Sequence, residues 1–162
     1  MRDPRPQTLA ILSVGLVVAV LSALSGCGAS ALQVHAQTAL VLRGVNDATV
    51  TALETGCQHR AVAAATNPDV DHAQASADAH AVLAHCQVAA DAQHAFASAL
   101  DAYVDQLIIA VDEGDTASIL DRLTELARSL IPLYADLARV GGDIGVDVPE
   151  LPPFLSGLTN GH

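Results

Sequence analysis

Residues 82–111 read VLAHCQVAADAQHAFASALDAYVDQLIIAV, and their spacing decides the fold. Leu83, Cys86, Ala90, Gln93, Ala97, Leu100, Val104, Leu107 and Val111 alternate by three and four, the a/d seam of a coiled coil. Val82, Ala89, Phe96, Tyr103 and Ala110 repeat every seven beside that seam and widen the stripe. A stripe this broad predicts a helix packed on two partners rather than one. Asp91, Asp101, Asp105 and Asp112 fall on the far side. Run from Pro68 to Asp112, the helix reaches ~65 Å.

Upstream, Thr66-Asn67-Pro68-Asp69 reads as a stop and restart, with Asn67 as N-cap and Pro68 as first helical residue. Asp71 followed by Gln74 is a second possible capping box. Before the turn, a helix from Ala29 or Ser30 to Ala65 gathers Val41, Leu42, Val45, Thr49, Ala52, Leu53 and Gly56 on one face. Val50 and Cys57 lie at its edge, with Arg43, Asp47 and Glu54 opposite. Downstream, Gly114 and Asp115 mark the next break. A third helix, Thr116 to Val140, repeats the seam through Ile119, Leu123, Leu126, Leu130, Leu133, Leu137 and Val140. Pro132 inside it predicts a kink, Gly141-Gly142 a stop, and Asp136 with Arg139 an i,i+3 pair. The expected fold is all-α, an antiparallel hairpin or three-helix bundle over residues 27–140. A Pro- and Gly-containing extended tail follows over 141–162.

Composition sharpens this. Half the chain is apolar (51%) but only 2% is aromatic, so the core must be built from Ala, Leu, Val and Ile. Alanine favours helix but buries little area per residue. The net charge is −11, all seven basic residues are Arg, and none falls between Arg60 and Arg122. Such a surface repels phosphates, which excludes nucleic acid as an expected partner.

At the front, Arg2 and Arg5 precede an apolar run from Leu9 to Leu24, which closes on Leu24-Ser25-Gly26-Cys27. The run is shorter than the ~20 residues of a spanning helix and suits a signal h-region. A branched apolar residue, two small residues and a cysteine, directly after such a region, resemble the lipobox of bacterial lipoproteins. The resemblance covers residues 1–27 only. It implies that residues 1–26 are a signal peptide cleaved between Gly26 and Cys27. It also implies that Cys27 carries diacylglycerol, and that the chain is held at a membrane of the cell envelope through that lipid. Gly28, not Asp, follows the cysteine, which in cells with two membranes implies the outer membrane, facing the periplasm.

Export bears on the other cysteines. With Cys27 committed to lipid, Cys57 and Cys86 remain as one pair, and an oxidising compartment predicts a disulfide between them. They are symmetric about residue 71 or 72, whereas the turn signal centres near residue 68. The bond therefore needs the turn to reach past Asp71 or the first helix to end early.

Little in the sequence carries chemistry. Seven histidines stand at 35, 59, 72, 80, 85, 94 and 162. His80 and His94 share a stripe but lie ~21 Å apart along the axis, too far to share a metal. His80 and His85 are five apart, and Asp91-x-x-His94 occurs once, without the duplication of di-iron bundles. Exposed neutral histidines are the expectation. Their protonation near pH 6 would relieve acidic repulsion along the second helix. Asp101 and Asp105 read as a solvated face, and Phe96 and Tyr103 as core. No nucleophile elbow, phosphate-binding loop or haem-attachment motif occurs. No catalytic, metal or cofactor residues are therefore assigned. The expected function is non-enzymatic presentation of an acidic helical bundle for protein contact or self-association. The alternative is a metal- or small-ligand-binding lipoprotein using the space near His80, Cys86 and His94.

Overall fold

In the computed structural model the described residues are 31–113 and 117–151. Three helices account for most of them: α1 (Ala31–Ala65), α2 (His72–Glu113) and α3 (Ala117–Asp143). They form an all-α bundle in which α2 is the shared element. It packs along α1 on one side and α3 on the other, while α1 and α3 meet each other little. The order of cross-contacts gives the directions. Asn46 pairs with Gln93, and His35 with Tyr103, so α1 runs antiparallel to α2. Arg122 reaches Gln106, and Tyr134 meets Phe96, so α3 runs antiparallel to α2 as well. The leader, the cleavage position Gly26–Cys27, and the Gly114 and Asp115 caps lie outside the described residues.

The deepest line of α2 is not the alternating seam. Ala89, Phe96, Leu100, Tyr103, Leu107 and Ala110 are buried, and four of these six are the flanking residues that repeat every seven. Of the seam itself only Leu100 and Leu107 are buried. Cys86, Gln93, Ala97 and Val104 are half-buried, and Leu83, Ala90 and Val111 are exposed. The reason is that α2 serves two partners. Its most enclosed direction bisects them, and the seam is displaced to the edge that meets α1. In α3, Leu123, Leu130, Leu137 and Val140 of the expected seam are buried and Ile119, Leu126 and Leu133 are half-buried, while Ala127 and Tyr134, outside that seam, are buried. In α1 the face of Leu42, Thr49 and Leu53 is buried, and it continues upstream through Ala39, Thr38 and His35.

The first turn departs from its predicted caps. Asn67 accepts the Asp69 amide at 3.0 Å, a local turn that precedes the helix rather than starting it. Asp71 is the N-cap of α2, with its carboxylate accepting the Gln74 amide at 2.9 Å and its carbonyl accepting the Ala75 amide. Pro68 therefore lies outside the helix. The Gln74 side chain donates to Asp78 at 2.7 Å rather than back to Asp71, so only half of the capping box forms. The turn thus reaches Asp71, as a bond between the cysteines requires. The disulfide Cys57–Cys86 is present, with the Cα atoms 5.9 Å apart. Eight residues of α1 and fourteen of α2 extend beyond it, so the turn climbs ~9 Å along the bundle axis to join them.

The far end of α3 is also set differently. The helix continues through Gly141 and Gly142 to Asp143. Gly145, at φ 62°, supplies the left-handed residue. The Val146 amide donates to the Gly141 carbonyl at 2.9 Å, and the Gly145 amide to the Gly142 carbonyl at 2.8 Å. These two bonds are a Schellman cap with Val146 as its apolar residue, and Val146 is buried. The residues that follow are extended but not loose. Arg60 of α1 donates to the Gly145 carbonyl at 3.0 Å, and Tyr134 donates to the Pro149 carbonyl. Gly56 of α1 is where the tail crosses, since a Cβ there would stand 2.5 Å from Val146 Cγ2. Pro132 is accommodated within α3 on its exposed side. Arg139 bridges Asp136 at 2.6 Å and Asp143 at 3.2 Å on the wet face of α3, where such pairs contribute little.

Candidate functional site

Two features distinguish this bundle from a plain alanine-rich one: the disulfide and a buried histidine. The disulfide stands where the cover of α3 ends. Past it, α1 and α2 continue as a two-helix hairpin whose inner surface is alanine, with Ala75 its one buried residue among those described between 58 and 85. Beside the bond lies an open groove of about 340 Å³, lined by Val50, Leu53, Glu54, Leu83, Ala90 and Gln93 together with both cysteines and Gln87. A larger open depression of about 580 Å³ between α2 and α3 is framed by Gln106, Arg122, Glu125 and Ser129. Both are surface grooves between helices.

The histidine is His35, which is buried, contrary to the expectation of exposed histidines. The Tyr103 hydroxyl donates to the His35 backbone carbonyl at 3.1 Å. With its hydrogen so committed, the phenol accepts at 2.9 Å from Nδ1, which must carry the ring hydrogen. The rings lie 6.0 Å apart. Burial lowers the His35 pKa from its ordinary value and raises that of the Tyr103 phenol. A signal for this pair exists in the sequence. Stepping back from Gly56 by alternating fours and threes passes Ala52, Thr49, Val45, Leu42 and Thr38 and lands on His35.

This pair has a pH consequence opposite to the one expected from acidic repulsion. The unfolded chain binds a proton at His35 near pH 6.5, and the folded chain binds it only at lower pH. The stabilisation is therefore complete above pH 6.5 and is lost as pH falls through the folded-state value. His35→Gln removes that dependence. Relative to the native chain, the variant should lose less stability between pH 7.5 and pH 5, read as urea midpoints at the two pH values. A native-to-variant difference that stays constant with pH would contradict the assignment.

The other candidates separate. His59, His72, His80, His85 and His94 are exposed, and His80 Nδ1 is engaged with the Ser76 carbonyl at 2.7 Å. Cys86 is bonded to Cys57 as the sequence leads one to expect, so the space near His80, Cys86 and His94 offers no free thiolate. Among the described residues no three His, Cys, Asp or Glu side chains gather closely enough to hold a metal ion. Asp101 faces Arg43 across the α1–α2 edge at 3.5 Å, with both exposed, and Asp105 lines the α2–α3 depression. No helix among the described residues is long and apolar enough to cross a membrane. Cys27, where a lipid anchor is expected from the resemblance, precedes α1 by four positions and lies outside the described residues. In comparisons with known proteins, no family model, curated protein or solved structure matches the chain.

Proposed function

We propose that this protein is a non-enzymatic lipoprotein of the cell envelope that presents an acidic three-helix bundle for protein contact. The observation that carries the reading is Leu24-Ser25-Gly26-Cys27, placed directly after a basic head and an apolar run too short to span. A diacylglycerol on the Cys27 sulfur would hold the chain, leaving everything from α1 onward on the far side of the membrane it was exported across. Two features support that placement. The Cys57–Cys86 disulfide suits an oxidising compartment, and an alanine-rich core of few large side chains gains from such a staple. The net charge of −11 keeps the bundle off anionic lipid and nucleic acid, so attachment rests on acyl chains and recognition on the helical faces. Both interhelical grooves are open surface depressions, and a helical scaffold for partners accounts for the architecture.

Cys27→Ser tests the reading. In a bacterial host the native chain should sediment with membranes and partition into detergent. The variant should lose at least nine-tenths of that partitioning while keeping the same helical circular dichroism. A variant that fractionates like the native chain would refute the anchor.

A further inference from the structure

The penultimate turn of α2, residues 107–111, is apolar on every side. Leu107 and Ala110 face the core, while Ile108, Ile109 and Val111 are 56%, 41% and 64% exposed. Consecutive apolar residues pointing outward from a soluble helix end are costly unless something covers them. Val34, in the first turn of α1, is exposed at the same end of the bundle. The register shows this, because His35 meets Tyr103 under two turns short of Ile109 and nearly three turns short of the end of α2. The remaining large exposed apolar side chains, Leu40, Val62, Leu83 and Val88, are scattered singly along the rest.

What lies nearest to this end is the tether position. Three residues lie between Cys27 and Ala31, and the four extended steps span at most ~14 Å. On the lipoprotein reading, on which this inference rests, a diacylglycerol enters the bilayer within that distance of Ala31, which stands one turn before Val34 and, by the His35–Tyr103 register, level with the last two turns of α2. We infer that this end of the bundle lies on the membrane, with Val34, Ile108, Ile109 and Val111 seated at the boundary of headgroups and acyl chains. The bundle then stands end-on. Its disulfide-stapled hairpin projects outward, with Val62 about 45 Å along the axis from Ile109. Asp112 and Glu113 close α2 one turn beyond Ile108 and Ile109, so the bundle leans until both carboxylates reach the headgroups, and the contact favours zwitterionic lipid and weakens on anionic lipid.

The chain contains no tryptophan, so single Trp substitutions report position without background. The acylated full chain is reconstituted in phosphatidylcholine vesicles brominated on the acyl chains, as Ile109→Trp and, separately, Val62→Trp. Both sites are exposed, and unchanged circular dichroism confirms the fold. Ile109→Trp should shift to the blue and lose more than half its emission to bromine, whereas Val62→Trp should keep its emission and remain open to aqueous iodide. Equal quenching of both would mean that the bundle lies along the surface, and would overturn the inference. An Ile109→Trp shielded from bromine and iodide alike would mean that protein, such as a second copy, covers it, and would overturn it too. Loss of bromine quenching in a chain whose mass shows lipid on Cys27 refutes the end-on contact alone. A chain without that lipid refutes the anchor and this contact together.

Discussion

Phe96→Ala should lower the stability of the bundle by about 3–5 kcal/mol, the largest loss expected from any single truncation. Phe96 is fully buried at the centre of α2 and meets Tyr134 of α3 edge-on, with ring centroids 5.2 Å apart. One other phenylalanine exists, Phe154, beyond the described residues, and the neighbours along α2 include Ala89, Ala92 and Ala99. Short side chains on rigid helices cannot lean in to close the space, so most of the cavity persists. The ring pair should also show coupling of about 0.5–1.5 kcal/mol in a double-mutant cycle with Tyr134→Leu. Leu40→Ala serves as the contrast, because Leu40 is 67% exposed and its loss should stay within about 0.5 kcal/mol. Denaturant unfolding of the three single variants and of the double variant checks these values. Equal losses for Phe96→Ala and Leu40→Ala would contradict the packing.

Removing the disulfide should act on a different part of the molecule. The bond closes a loop with a sequence separation of 29, which stabilises by about 3–4 kcal/mol in the chain-entropy model. The hairpin inside that loop buries little besides Ala75, so it has few side-chain contacts to replace the constraint. In the paired variant Cys57→Ser with Cys86→Ser, amides of 58–65 and 72–85 should therefore exchange roughly 10²–10³ times faster. Amides around Phe96 and Tyr134 should keep most of their protection, because α3 covers that layer. Unchanged exchange in the hairpin, or uniform loss along the chain, would contradict this division.

Much of the fold could be read from spacing. Three helices, their breaks and the buried positions of α3 follow from apolar residues at threes and fours, because α3 presents one face to one main partner. α2 was harder for a physical reason. Its stripe is wide enough for two partners, and periodicity alone does not say which direction between them is most enclosed. The Ala89–Phe96–Tyr103–Ala110 line therefore emerged only from the packing. Helix ends were legible as regions rather than residues. Asn67 and Asp71 are both good caps, as are Gly142 and Gly145 as stops, and tertiary contacts chose between them. The tail packing on Gly56 and Arg60 selected Gly145. The cysteine pair was legible by counting, since one cysteine was assigned to lipid and two remained. His35 was not, because the α1 face was traced from Val41 onward and a histidine near a helix start reads as solvated.

The account depends most on the fate of Cys27, and the intact mass of the protein purified from bacterial membranes tests it directly. The expected mass is that of the chain from Cys27 to His162 plus a diacylglyceryl group, less two hydrogens for the Cys57–Cys86 bond. A further acyl group on the new amino terminus would be consistent with it. A mass corresponding to the chain from Met1, or to a cleaved chain with an unmodified Cys27, would contradict it.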